Sequence, residues 1–385
     1  MENNNLTEKQ SVDGSHLFAV GEVKTVNRNA DGGVSLTLNG NEILPKSKLF
    51  NTLVMSASYR IQDADSWLDV DSGFDSRKAL WLRDSLGNVG TFGYRRNLTL
   101  RDTISSTQRW NPLSQYDLKG AAAPLKTLSI INNFSKTVQN NEQTGTVYDS
   151  TSRTLPDLTV SISDLEKMFY AGRWLSASNL KLRYSQVEQT NIGTDDRSST
   201  QYGADVRFML FNYFDTVFNY THQTVDRNDL RAGASLERLK KDDLSAQTSF
   251  YIKSLRVTPK LLYGATEKSV ALGRASEDST FWTPSLNLRW DFNIPRGFKL
   301  PFIHKVYNTT NRVIWNTTFS YTNKKSPIEV KDNYQLFDFV SSLDYEFSQN
   351  LRFTLSGGFT LMDHAYVESE DYTAYNVAAD VTVQF

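Results

Sequence analysis

The stretch Tyr375-Asn376-Val377-Ala378-Ala379-Asp380-Val381-Thr382-Val383-Gln384-Phe385 decides how this chain is read. Tyr375, Val377, Ala379, Val381, Val383 and Phe385 fall on every second position. Asn376, Ala378, Asp380, Thr382 and Gln384 fill the gaps, and most of them are polar. Successive side chains of a strand point to opposite faces, so this segment has one apolar face and one wet face.

The same pattern recurs upstream. Leu53, Met55, Ala57 and Tyr59 share a parity, as do Tyr202, Ala204, Val206, Phe208 and Leu210. Leu244 to Ile252 alternates, and a turn at Lys253-Ser254 leads into Leu255, Val257, Pro259, Leu261 and Tyr263. Leu286 to Phe292, Val313 to Tyr321, Phe339 to Phe347 and Leu351 to Phe359 continue it. About 14 to 17 such segments are expected, each of about 9 to 12 residues, the length with which a tilted strand crosses a bilayer. The intervening positions carry Asp205, Arg207, Asn287, Arg289, Asp344 and Glu346. A soluble sandwich turns such a face to bulk water, and a barrel turns it to the lumen. Strand number and length favour an all-β, antiparallel transmembrane β-barrel, possibly part of a larger one. Backbone groups in lipid must be paired, which requires closure.

A last strand ending on an aromatic ring resembles the recognition signal of bacterial outer-membrane β-barrels. The resemblance implies a membrane-insertion signal at Tyr375, Val377, Ala379, Val381, Val383 and Phe385. It also implies the outer membrane of a Gram-negative-type bacterium, with outer-membrane lipid and the barrel-assembly machinery as partners.

Composition agrees with this reading. The 385 residues suffice for one large barrel. A net charge of −1 gives no global field for nucleic acid. The absence of Cys excludes disulfides, thiolate metal sites and Cys nucleophiles. Eighteen Tyr, 22 Phe and 7 Trp suffice for aromatic girdles at two membrane interfaces. No run reaches the roughly 18 apolar residues of a spanning helix, and the polar start Met1-Glu2-Asn3-Asn4-Asn5 lacks the apolar core of a signal peptide. An outer-membrane protein must be exported, so the chain reads as a mature form or as a piece of something longer, and the piece is favoured. Four segments are expected: residues 1–15 disordered, 16–60 the first barrel strands, 61–124 a long loop or inserted subdomain, and 125–385 a β-barrel with the signal strand. Long polar connections are expected at Glu267 to Thr280, Asn323 to Asn333 and Asp363 to Tyr372.

Two stretches share one design. Leu155-Pro156-Asp157-Leu158-Thr159-Val160-Ser161-Ile162 precedes Asp164-Leu165-Glu166-Lys167-Met168-Phe169-Tyr170, and Leu180-Lys181-Leu182-Arg183-Tyr184 follows. Pro284 to Trp290 precedes Pro295-Arg296-Gly297-Phe298-Lys299-Leu300-Pro301-Phe302, and Val313 to Tyr321 follows. Each is strand, basic-aromatic insert, strand, with the insert expected as a helical turn at the rim or as an ordinary loop. This pattern resembles the SprA-like proteins over about Trp110 to Phe385. Those are very large outer-membrane barrels that serve as the type IX secretion translocon. The resemblance implies the C-terminal portion of a protein-translocation channel, with secretion-system subunits and secreted protein cargo as partners. Such barrels have far more strands than this chain supplies, which points to a fragment or a shorter relative. A fragment would leave two unpaired sheet edges.

Catalytic constellations are not assembled. His16, His222, His304 and His364 lack metal-pair spacing. Asp226, Asp229, Asp242 and Asp243 lack the order and glycine of a calcium loop and read as turn solubilisers. Asp363, Glu368, Glu370 and Asp371 form an acidic loop, read as solvated. Walker and nucleophile-elbow patterns are absent. The expectation is a non-enzyme without cofactor, metal or nucleic-acid partner. Lys253, Arg256, Arg289, Arg183 and Arg207 are candidates to line a lumen, and acidic neighbours predict a mixed-charge interior. Two other functions fit the strands: a diffusion porin or lipopolysaccharide-assembly barrel, and a soluble adhesin or glycan-binding protein whose apolar faces a second sheet covers.

Overall fold

The computed structural model describes residues 26–383 apart from 69–94, 144–145, 192–193, 230–233, 271–273, 294–311, 329 and 349–350. Among the described residues fifteen strands pair in the order of the sequence, β1-β2-β3 through to β15. They are β1 Val26–Asn39, β2 Val54–Leu68, β3 Arg95–Trp110, β4 Ser129–Gln143, β5 Thr146–Ser163, β6 Leu175–Asn191, β7 Asp195–Leu210 and β8 Phe214–Asp229. They continue as β9 Ala234–Ile252, β10 Leu255–Val270, β11 Arg274–Asn293, β12 Arg312–Lys325, β13 Tyr334–Ser348, β14 Leu351–His364 and β15 Tyr372–Val383. Every pairing is antiparallel. An open twisted sheet of more than about ten strands curls, splits or flattens. Here the order is unbroken, and no second sheet covers it among the described residues. The chain is an all-β, antiparallel β-barrel wall, and fifteen lies inside the expected range.

Register puts the apolar positions on one face. Across β7 to β10 the row Ala204, Tyr220, Leu244, Tyr263 is continuous through direct partners. Across β11 to β15 the row Leu286, Phe319, Phe339, Phe359, Tyr375 does the same. That face is uncovered: Val34, Phe211, Leu261, Phe337 and Leu361 are all exposed, and among the described residues only Leu98, Leu100, Val225 and Val313 are buried aliphatics. The greasy rows do not face one another across a dry interior, which is what a sandwich requires.

Several connections are short helical pieces. α1 (Gly40–Ile43) joins β1 to β2, and α2 (Leu165–Met168) joins β5 to β6. A 3₁₀ segment, Gly120–Thr127, leads into β4. α2 is the helical turn expected of the first insert; Pro295 to Phe302 lies outside the described residues.

Three expectations need correction. Residues 61–124 are not one long loop, because β2 runs through Leu68 and β3 occupies Arg95–Trp110. Glu267 to Thr280 is mostly strand, with β10 reaching Val270 and β11 beginning at Arg274. Asp226, Asp229, Asp242 and Asp243 sit within β8 and β9 rather than in a turn. In each case both faces of the strand are polar, so alternation does not show. Strands are also longer than the repeating apolar segments, from 12 residues in β15 to 20 in β11. The expected disorder at 1–15 lies outside the described residues.

Candidate functional site

The two faces of the wall are the functional surfaces. On the apolar face each outward set runs over nine positions, counting both ends: Leu244 to Ile252, Leu255 to Tyr263, Trp282 to Trp290, Val313 to Tyr321, Phe353 to Leu361 and Tyr375 to Val383. Nine residues at about 3.4 Å each span about 27 Å along the strand before tilt. That approaches the apolar band, about 25 Å tall, of outer-membrane barrels.

Aromatic rings edge this band on both sides. One edge carries Tyr184 and Tyr202, with ring centroids 5.1 Å apart, then Tyr220, Tyr263, Trp282 and Tyr321, the last two 5.3 Å apart. The other carries Trp174 and Phe211 (5.9 Å), Phe214 and Phe250 (5.1 Å), and Trp290 and Trp315 (6.3 Å). Several polar tips point away from the band, whereas Trp315 Nε1 donates to Ser341 Oγ within it at 2.9 Å. Tyr220 Oη donates to Asp242 at 2.8 Å and Tyr321 Oη donates to Gln335 at 2.9 Å. Trp290 Nε1 donates to Ser254 Oγ in the opposite turn at 2.7 Å. An apolar ring body with a wet tip is the arrangement an interface between hydrocarbon and water selects.

Past the tyrosine edge the strands continue as a polar collar. Its outward face carries His222, whose Nδ1 lies 2.8 Å from Asp242 Oδ1, and the ion pairs Arg238–Asp226 (2.5 Å) and Lys240–Glu267 (3.1 Å). Arg153 pairs with Glu188 across β5 and β6. In the same collar, hydrogen bonds from Asn191 and then Arg227 hold the Asp195 carboxyl below the usual carboxylate range.

The other face is a mixed-charge lining. Arg183 pairs with Asp205 at 2.7 Å, Arg207 with Asp215 at 2.8 Å, Arg312 with Asp291 at 2.5 Å and Arg352 with Asp344 at 2.7 Å. Arg256 and Arg289 are direct cross-strand partners on this face, and the Arg256 guanidinium reaches Ser249 Oγ at 3.4 Å. Between the charges lie hydroxyl and amide contacts, among them Ser58–Ser105, Thr103–Thr137 and Asn287–Thr318. Four of the five expected lumen cations share this face; Lys253 lies in the β9–β10 turn instead. The phenyl ring of Phe281 also lies here, over Gly264, a pairing the sequence gives no sign of.

The expected insertion signal is placed in part. Tyr375, Val377, Ala379, Val381 and Val383 lie on the apolar face of β15, opposite Phe359, Gly357, Leu355, Phe353 and Leu351. Phe385 lies outside the described residues, as do His16 and His304. β15 differs from interior strands in exposing residues of both parities, with Tyr375 at 84% and Val377 at 79%. Among the described residues β1 and β15 have no strand on their outer edges.

No family model matches this chain, and no curated protein does. Solved structures that align with it include the β-domain of the Bordetella autotransporter BrkA, at 12% identity and a TM-score of 0.25. That alignment covers 62% of this chain and 92% of the other. The copper transporter OprC aligns at 8% identity and a TM-score of 0.33, over 96% of this chain and 66% of its own.

Proposed function

We propose that this chain is an outer-membrane β-barrel wall that encloses a polar passage. The observation that carries the reading is the uncovered apolar band, nine residues tall and edged by aromatics on both sides. Water does not tolerate a contiguous apolar surface of that extent on a soluble monomer. A soluble adhesin would need a second layer over it. The long polar collar lies on the side away from the end of β15, which orients it toward the cell exterior if the tight turns at Lys253-Ser254 and 211–213 face the periplasm.

At finer grain, the wall belongs to a SprA-like translocation channel, a larger tube that passes protein cargo. Two features support this. The strand–insert–strand design around α2 matches the resemblance drawn from Leu155 to Tyr184. The exposed flank of β15 is the surface to which a further strand would bond. β1 and β15 run in the same direction, so an all-antiparallel closure takes an odd number of additional strands. A mixed-charge lining suits extended or folded polypeptide better than a single ionic species.

The test is expression into outer membranes, followed by detergent extraction and electrophoresis with and without heating. A barrel resists detergent unfolding until heated. A monomer freely soluble in plain buffer would overturn the membrane reading. Single-channel recording then separates the finer alternatives: a small, steady conductance from this chain alone favours a diffusion porin and defeats the larger-tube reading. Deleting Phe385 is expected to impair insertion, and unchanged insertion would remove the signal role from this residue.

A further inference from the structure

A cleft of about 460 Å³ opens at the collar end, between the β12–β13 and β14–β15 connections. Its size lies in the range of small-ligand sites, about 300–1,000 Å³. It lies just beyond Tyr321, Phe337 and Leu361 of the apolar face, where the row Asn323, Gln335, Asp363 crosses three strands.

The polar groups of this row are oriented. Asn323 Nδ2 donates to Tyr321 Oη at 3.3 Å, and Tyr321 Oη donates to Gln335 Oε1 at 2.9 Å. The Asn323 carbonyl and the Gln335 amide nitrogen take no part in these two bonds, and both residues line the cleft. Asp363 adds an exposed carboxylate, which accepts only. Tyr366, 67% exposed, offers a ring face on the cleft wall. One cation completes it: Lys325, on the same face as Asn323, is exposed with no ion pair shown among the described residues, whereas Lys324 turns to the other face, toward Asp332 at 3.5 Å and the Tyr334 ring.

The walls are tied together. Asn333 accepts from the Ser326 amide through its side chain and from the Ala365 amide at 2.9 Å through its carbonyl, so one residue clips both connections. The His364 amide donates to Asp371 at 2.6 Å, which fixes the root of the second connection. A preformed cleft loses less on binding than one that must be ordered.

Hydroxyl-rich rings need this combination: planar amides and a carboxylate to meet vicinal hydroxyls, and an aromatic face against the C–H side of the ring. The Lys325 ammonium adds a site for a negative substituent. We propose that this cleft binds a saccharide bearing a phosphate, with Tyr366 stacking on the ring, Asn323, Gln335 and Asp363 meeting its hydroxyls, and Lys325 holding the phosphate. The proposal stands on the geometry of the cleft and is independent of the membrane reading.

The test is calorimetric titration of the full chain in detergent with three probes: a diphosphorylated glucosamine disaccharide, the unphosphorylated disaccharide, and inorganic phosphate. The phosphorylated disaccharide is expected to bind at least about tenfold more tightly than either of the others. Tyr366→Ala is expected to weaken it by about tenfold, and Lys325→Gln to bring it level with the unphosphorylated sugar. Vesicles carrying lipid A separate the source: competition by the free disaccharide assigns the same cleft to a membrane glycolipid. Heat-modifiable migration of each variant, unchanged from the parent, establishes that it folds. Phosphate binding as tightly as the phosphorylated sugar, or variants in folded form that bind like the parent, would overturn the proposal.

Discussion

The outer surface of β7 to β14 and that of β3 and β4 obey different rules. From β7 to β14 the outward positions over a nine-residue height are mostly Leu, Val, Phe, Tyr and Trp, with Ala, Thr, Ser, Pro and Gly between them. On β3 and β4 the same face carries Ser106, Gln108 and Asn132, and Asn132 Nδ2 donates to Gln108 Oε1 at 3.2 Å. Lys136 and Arg153, also on that face, are direct cross-strand partners of like charge. Register irregularities at Asn133/Ser135 and Thr154/Asp157 interrupt the ladders there. The backbone pairing is nonetheless equally extensive. Hydrogen-bonded ladders, rather than greasy side chains, make the strand; the greasy side chains report what the strand touches.

The largest expected effect tests that contrast directly. Leu286→Arg, at the middle of its nine-residue set, is expected to cost about 2–4 kcal/mol against hydrocarbon. Ser106→Arg on β3 is expected to cost well under half of that. Urea unfolding in lipid vesicles measures both, and equal costs would mean that the two regions meet the same solvent.

Next comes the inner face. A Cβ built on Gly264 lies 2.2 Å from the Phe281 ring, so Gly264→Ala must displace the ring, at a cost of about 1–3 kcal/mol. At Gly203 the nearest atoms are 3.6 Å away, and Gly203→Ala is expected to be close to neutral. The same unfolding assay ranks the pair.

A smaller effect sits in the collar. Asp195 has a lowered folded-state pKa, so its ionised form contributes stability above the unfolded value of about 3.9. That contribution is lost as pH falls through the lower folded value. Asp195→Asn is therefore expected to be less stable than the parent at pH 7, with the gap closing below about pH 4. A gap that stays constant down to pH 3 would assign the effect to packing. Smallest of all, Arg153→Gln removes an exposed pair and is expected to cost about 0.2–1 kcal/mol, less at high salt.

These differences explain what was legible in the residues. Leu244 to Tyr263 announces two strands and their turn because hydrocarbon contact forces alternation on one face while the other stays polar. β3 hides because Thr99, Arg101, Thr103 and Ser105 on one face meet Asp102, Ser106 and Gln108 on the other, with too little contrast to give a period. The stretch around Glu267 and Asp278 hides for the same reason: there the strand has left the band, and both faces are wet. The lining cations were legible as alternating charges, but their partners were not, because Arg207 finds Asp215 only after β7 and β8 have paired. The rim cleft was less visible still. Its members, from Asn323 to Tyr366, come together only when two connections fold over three strand ends.

The length of β11 carries one more implication. Twenty residues at about 3.4 Å make about 68 Å of strand, and at a tilt of about 40° that stands about 50 Å tall, roughly twice the hydrocarbon thickness. The part of β11 ahead of Trp282 therefore stands in water as hydrogen-bonded ladder. Proteases need a segment they can draw out into an extended, unpaired form, and a paired strand does not offer one. With the collar toward the cell exterior, as proposed, shaving intact cells should spare this part of β11, and antibodies against it should see a rigid turret.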